Sequence, residues 1–279
     1  MSAPASSTLR VACVQLNSAG DRDENVATAV RLVEEAAASG ARLVAMPETW
    51  TYKGPHAGII ESGEWLDGPS TTLMRDLAAR LGIYLLAGSF YERREGSDLL
   101  SNTSVLFGPG GERLAVYRKI HLFDVTVGDT AYRESETLQG GHELVTAEID
   151  GVTAGLTICY DVRFPELYRA LALRGARIFL APSAFTQHTG RAHWEILVRA
   201  RAIENGCFMV APDQSGEYLP GRKTWGHSMI VDPWGRILAV REEGVGVCAA
   251  DLDLSQVDEV RKAVPALQHR RPDAYGPLT

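Results

Sequence analysis

Short apolar runs that end at turn-forming or charged residues alternate along the chain with stretches of helical periodicity, which predicts strands and helices in turn. Residues 10–16 read as a strand ending at Asn17, and residues 23–38 as a helix with an acidic start and Gly40 just beyond its end. Residues 41–46 form a second apolar run, stopped by Pro47. A helical pattern over 73–81 is followed by a strand over 83–90. Residues 104–107 and 113–117 face each other across Gly108-Pro109-Gly110-Gly111, which predicts a hairpin. Farther on, the apolar run 152–158 reads as a buried strand, followed by a polar turn and a helical pattern from Pro165.

The second half repeats the plan of the first. Ala41-Arg42-Leu43-Val44-Ala45-Met46-Pro47 is echoed by Ala176-Arg177-Ile178-Phe179-Leu180-Ala181-Pro182, and the first hairpin by residues 228–240, turning at Asp232-Pro233-Trp234-Gly235. Two similar βα halves bury most surface by packing sheet against sheet with helices outside. The expected fold is therefore α/β, a four-layer αββα sandwich of two similar halves. Residues 1–9 read as a short polar extension ahead of one domain over 10–279. The polar stretch Gln268-His269-Arg270-Arg271-Pro272-Asp273 is either an exposed tail or part of a contact between subunits.

With 279 residues, 45% of them hydrophobic and 23% charged, the chain can bury a sizeable core. Its 28 basic and 35 acidic residues give a net charge of -7 with no basic run, which argues against a nucleic-acid or anionic-membrane partner. No apolar run approaches the roughly 20 residues of a membrane-spanning helix, and the N-terminal residues lack the pattern of a signal peptide. Cys13, Cys159, Cys207 and Cys248 are far apart without a C-x-x-C pair, so free thiols in the cytoplasm are expected rather than a disulfide framework or zinc site.

Three residues carry candidate chemistry. Cys159 closes the buried run 152–158, and a thiol there is either core packing or a group presented at a ligand-binding edge. Glu48 leaves the strand 41–46 in the same way and is either solvated, a helix cap, or functional. Lys119 lies where the hairpin strand runs out, and strand alternation puts it on one face with Tyr117 and His121, opposite Arg118 and Ile120. It is either a surface lysine with its stem on apolar neighbours or a desolvated one beside carboxylates.

Pro47-Glu48, Arg118-Lys119-Ile120-His121-Leu122 and Ile158-Cys159-Tyr160-Asp161-Val162-Arg163-Phe164-Pro165-Glu166 resemble the three signature segments of the nitrilase (carbon–nitrogen hydrolase) superfamily, in that family's order. Pro182-Ser183-Ala184-Phe185 and Gly226-His227-Ser228-Met229-Ile230-Val231-Asp232-Pro233-Trp234-Gly235 extend the resemblance, which runs from Arg10 to about Tyr275. It implies a thiol hydrolase without metal or organic cofactor. Glu48 would be the general base, Cys159 the nucleophile, and Lys119 with the backbone N–H of Tyr160 the donors to the oxyanion.

Within the superfamily the chain looks most like the Nit-type amidases, which cleave the terminal amide of small carboxylates such as α-ketoglutaramate or deaminated glutathione. Nitrile hydrolysis or N-carbamoyl cleavage would use the same three residues, and a non-enzymatic relative would be expected to lose the thiol. Glu134 matches a family glutamate that holds the lysine. The preceding Val125-Thr126-Val127-Gly128-Asp129 lacks the family's Pro-Gly turn, which leaves Glu136 as the alternative. Arg163 is either a fork for a substrate carboxylate or the ion-pair partner of Asp161 or Glu166. Phe185 and Thr186 would line the same edge. A papain-like pairing of Cys159 with His121, His193 or His227 lacks that family's local signature, so His121 is expected behind the site and His193 on a helix at a subunit interface. The resemblance also implies a homodimer or higher homo-oligomer, with residues 189–204 and the C-terminal stretch as the contact.

Overall fold

The computed structural model describes residues 8–128 and 130–276. The first half runs β1 (Thr8–Gln15), α1 (Arg22–Ala38), β2 (Leu43–Ala45), α2 (His56–Glu61), α3 (Pro69–Leu81), β3 (Tyr84–Leu86), β4 (Phe90–Glu92), β5 (Ser101–Phe107) and β6 (Arg113–Arg118). A small hairpin of β7 (Asp124–Val127) and β8 (Thr130–Arg133) follows. The second half contains β9 (Thr146–Ile149), β10 (Val152–Leu156), α4 (Pro165–Leu173), β11 (Ile178–Leu180), α5 (Gln187–Asn205) and β12 (Phe208–Ala211). A second small hairpin, β13 (Ser215–Leu219) and β14 (Arg222–Trp225), precedes β15 (Ser228–Val231), β16 (Ile237–Arg241), β17 (Gly246–Asp253), α6 (Ser255–Ala263) and α7 (Pro272–Tyr275).

Local chemistry sets the helix ends. Asp21 caps α1, its Oδ1 accepting the N–H of Asp23 and Glu24 at 3.0 and 3.1 Å. Pro69 opens α3, which therefore starts ahead of the periodic stretch at 73, and Gly82 closes it with φ +66°.

One sheet has the order β17-β1-β2-β3-β5-β4 with β6 on β5, the other β16-β15-β12-β11-β10-β9. In each, three strands run parallel (β1-β2-β3 and β10-β11-β12) before an antiparallel neighbour. Successive β1 residues divide between two cores. Val11 and Cys13 share a core with Leu156, Leu180 and Ile230 of the other sheet, while Ala12 and Val14 share one with Leu32 and Val33 of α1 and Leu77 of α3. Helices α4 and α5 cover the far face of the second sheet, where Tyr168 meets Phe179 edge-on at 5.0 Å. The layers are those of the expected αββα sandwich. Strand β17 then returns from the second half and pairs with β1 along its whole length, tying the two halves together.

The strand expected over 83–90 is instead two, β3 and β4, which pair with opposite ends of β5. The break falls at Gly88, whose φ is +51° and where an added Cβ would lie 2.1 Å from the Pro47 carbonyl oxygen. That close approach lets Ser89 hold the turn beside Glu48: its N–H donates to Pro47, its hydroxyl accepts from Thr49 and its carbonyl from Trp50. Thr8 and Leu9 belong to β1 rather than to a polar extension, and residues 1–7 of that extension lie outside the described residues. Among the described residues no helix is long and apolar enough to cross a membrane.

Candidate active site

Three strand ends converge where the two sheets meet. Glu48 follows β2 through Met46 and Pro47, and its backbone is held from the second half: its N–H donates to Ser183 (3.3 Å) and its carbonyl accepts Gln214 Nε2 (2.9 Å). Lys119 is one residue past β6, its N–H donating to the Asn102 carbonyl and its carbonyl accepting from Gly141. Cys159 begins a 3-10 turn, Cys159–Arg163, with φ +47°. A left-handed residue with a Cβ costs about 1–2 kcal/mol, so the turn must be held from outside. Asp161 does this: its Oδ2 accepts Ile158 N (2.8 Å) and the Tyr117 hydroxyl (2.6 Å), and its Oδ1 accepts His121 N (3.2 Å) and pairs with His121 Nδ1 (2.7 Å).

At the centre is a buried ion cluster. Lys119 Nζ donates to Glu48 Oε1 at 2.9 Å and to Glu134 Oε1 and Oε2 at 3.0 and 2.9 Å. Lys119 and Glu48 are 1% and 3% exposed, so neither charge is matched by water. Asn102 Nδ2 also donates to Glu48 Oε1 (2.8 Å). Both nitrogen donors thus occupy one carboxylate oxygen and leave Oε2 as the oxygen free to take a proton. The Cys159 thiol faces this carboxylate closely enough to interact with it.

Burial alone would lift the Glu48 carboxyl, but Lys119 and then Lys53 hold it below the usual range. Burial opposes the Lys119 charge, and Glu134 and Glu48 more than offset it, so the ammonium persists well above the ordinary lysine range. Burial and then the Glu48 charge push the Cys159 thiol well above its ordinary value, against the pull of Lys119. The unliganded arrangement is therefore carboxylate, ammonium and neutral thiol. It can pass a proton from sulfur to Glu48 when the sulfur acquires an electrophile, with the ammonium beside the developing charge.

A cavity of about 450 Å³ opens over this cluster, and all eight residues singled out in the sequence line it: Glu48, Lys119, Glu134, Cys159, Tyr160, Arg163, Phe185 and Thr186. Glu136 also lines it but makes no ion pair with Lys119, whereas Glu134 does. Arg163 pairs with neither Asp161 nor Glu166. The Asp161 oxygens are taken as described, and the guanidinium lies over the rings of Phe185 (5.2 Å) and Tyr160 (5.8 Å), with Nη1 3.3 Å from His193 Nδ1. Phe185 N donates to Asp213 Oδ1, and the Thr186 hydroxyl caps α5 by accepting Thr189 N.

His121 and His227 do not line the cavity. His121 stacks on Phe164 at 3.6 Å as it pairs with Asp161, and His227 stacks on Trp225 at 4.2 Å. Sequence reasoning passed over Asn102, the second donor to Glu48, and Lys53, Tyr91 and Arg222, which also line the cavity. The available signal was an asparagine inside the otherwise apolar and hydroxyl-bearing run of β5, where an amide needs a specific partner.

The family model for carbon-nitrogen hydrolases matches residues 10–262, and the chain belongs to that family. It is a hydrolase of carbon–nitrogen bonds other than peptide bonds. It is 42% identical to the deaminated glutathione amidase of Rattus norvegicus over 96% of this chain and 84% of that protein. It is 37% identical to the omega-amidase NIT2 of Homo sapiens over 96% of this chain and 97% of that one. Among solved structures, Saccharomyces cerevisiae Nit3, a member of branch 10 of the nitrilase superfamily, superposes with a TM-score of 0.87 at 32% identity, covering 97% of this chain and 99% of that one.

The ion cluster makes a pH-dependent prediction. Lys119→Met removes the charge but keeps the volume, and should destabilise the fold by about 3 kcal/mol at neutral pH by leaving buried carboxylates unmatched. With Lys119 present the Glu48 carboxyl is depressed, so its stabilising share is present above the unfolded carboxyl range and is lost as pH falls through the folded value. Without Lys119, burial raises Glu48 and its protonation relieves the cost. The stability gap between parent and variant in urea unfolding should therefore narrow between about pH 7 and about pH 4. A gap that widens over that interval would contradict the pairing.

Proposed function

We propose that this protein is a thiol amidase that hydrolyses the terminal carboxamide of a small carboxylate, of the deaminated glutathione or omega-amide type, to the acid and ammonia. The observation that carries the reading is Cys159 beside a buried carboxylate that Lys119 and Asn102 hold by one oxygen. The names of the relatives support amides over nitriles as substrates.

In this reading Glu48 takes the thiol proton as the Cys159 sulfur bonds to the amide carbon. The Lys119 ammonium and the backbone N–H of Tyr160 receive the oxyanion, each such donor lowering the barrier by about 3 kcal/mol. Glu48 returns the proton to the amide nitrogen, the C–N bond breaks and ammonia departs, leaving a thioester. Water then gives its proton to Glu48 and attacks the thioester carbon; collapse releases the acid and the sulfur regains its proton. Glu134 keeps Lys119 charged and in place throughout.

Arg163, Lys53 and Arg222 line the cavity, and none has an ion-pair partner among the described residues. Such cations suit an anionic substrate, and Arg163, closest along the chain to the nucleophile, is assigned the substrate carboxylate. The four cysteines are free thiols, which fits a cytoplasmic setting. Ile196 and Ile203, two turns apart on α5, are 69% and 53% exposed, and Trp234 nearby is 57% exposed. This apolar stripe is assigned to contact with a second copy of the chain.

Three measurements test these assignments. Cys159→Ala should abolish ammonia release from a panel of amides, nitriles and N-carbamoyl compounds while the circular dichroism spectrum is retained; full turnover in the variant would end the mechanism. Arg163→Ala should raise KM for dicarboxylate monoamides by about 10-fold or more, with little change for uncharged amides, and equal losses on both would remove the carboxylate assignment. Changing Ile196 and Ile203 together to Asp should halve the mass found by light scattering, a result that a monomeric parent protein would make impossible.

A further inference from the structure

Away from the cavity, two other cysteines meet. Cys13 and Cys248 are directly opposite in the antiparallel pair of β1 and β17. Both side chains point toward the second sheet. The Cys13 sulfur lies 3.8 Å from the Met229 carbonyl oxygen and the Cys248 sulfur 3.4 Å from that of Ser228. These are consecutive carbonyls of β15, so the two thiols sit near each other across the strand pair. Opposed residues on antiparallel strands hold their Cβ atoms about 4.5–5.5 Å apart, and a disulfide requires about 3.5–4.5 Å. A closing movement of about 1 Å within the strand pair suffices.

The two thiols are not equivalent. Cys13 is fully buried, whereas Cys248 is partly exposed near the sheet edge. Burial and the neighbouring Cys248 push the Cys13 thiol up. The hydrogen bond from Cys13, with Arg241 behind it, holds the Cys248 thiol below its ordinary value against burial. Arg241 is in register with Ser228, and its Nε is buried without a hydrogen-bond partner. A partly buried cysteine near a cation, backed by a fully buried one, is the arrangement of an attacking and a resolving cysteine.

We propose that Cys13 and Cys248 form a second reactive site, separate from the cavity, at which a hydroperoxide converts the cross-strand dithiol into a disulfide. The Cys248 thiolate attacks one peroxide oxygen, the O–O bond breaks, and hydroxide (or alkoxide) leaves a sulfenic acid on Cys248. The Cys13 sulfur then displaces the sulfenic oxygen, which departs as water with the Cys13 proton, and the S–S bond forms. Two electrons pass from the thiols to the peroxide. The new bond fastens the last strand of the first sheet to β1 and closes most of the chain into one loop, and thiol reductants reverse it.

The test uses the full chain exposed to hydrogen peroxide, then unfolded, alkylated and digested without reductant for mass spectrometry. The expected product is a reductant-sensitive peptide pair joining Cys13 and Cys248, together with a rise in Tm of roughly 5 °C. Cys248→Ser should give neither, and Cys13→Ala should leave a sulfenic acid on Cys248 that a cyclic dione traps. Oxidation of Cys159 in the same digest serves as the internal measure of dose. Recovery of Cys13 and Cys248 as free alkylated thiols once Cys159 is oxidised would overturn the proposal. So would over-oxidation of Cys248 to sulfinic acid in the parent protein without a linked peptide. Because the parent protein alone yields a decisive map, poor folding of either variant leaves the test intact.

Discussion

A lysine ammonium sealed from water survives only where anions are held against it, and Lys119 between Glu48 and Glu134 is the constraint on which this structure turns. Removing the Glu48 carboxylate and the Lys119 ammonium from water costs several kcal/mol per ion, recovered only by short, well-directed contacts. Those contacts join β2, the end of β6 and the turn after β8, elements far apart in the chain. The cluster sets the charges of the site as well. It keeps Glu48 ionised despite burial, and that charge helps keep the Cys159 thiol neutral.

The sandwich supplies what the cluster needs. Short parallel strands end abruptly at the sheet edge, so Glu48 and Cys159 emerge from rigid, buried segments. Both exits are backed by strain that neighbours hold in place. Thr49 and Cys159 adopt positive φ. The first turn is fixed by the backbone of Ser89, presented by the break at Gly88, and the second by Asp161 with Tyr117 and His121. The two halves are also stitched directly. Gln214, from the second half, bonds both Ser18 and the Glu48 carbonyl, and Asp213 beside it accepts the N–H groups of Gln214 and Phe185. Burial pushes the Asp213 carboxyl well above its usual range. One buried acid thus joins the anchor of Glu48 to the wall of the cavity.

Much of this was legible along the chain because its causes are local. Apolar runs that stop at Pro47 and at Cys159 mark the strand ends from which Glu48 and Cys159 emerge. The repeat of the Ala41–Pro47 pattern at Ala176–Pro182 is enough to predict two stacked halves. Resemblance of three short segments to one family then adds a reaction class that periodicity could not supply.

What only the tertiary structure decided depends on register between segments that share no local pattern. Glu134 rather than Glu136 reaches Lys119 because of where the 3-10 turn after β8 docks. Arg163 does not pair with Asp161, because that carboxylate is already spent on Tyr117, His121 and Ile158, and it packs over Phe185 and Tyr160 instead. Asn102, unremarkable within its strand, becomes a donor to Glu48 only when β5 pairs beside β3 in the sheet that also holds β2. Residues 83–90 read as one strand because their apolar content is continuous, yet the chain breaks at Gly88 where another segment needs the space. The sequence by itself determined which residues leave strands with reactive groups, since strand ends are written in neighbouring side chains. Which of those groups meet was decided by sheet-on-sheet packing, because distances across a buried interface are set by the whole core and by no single stretch of it.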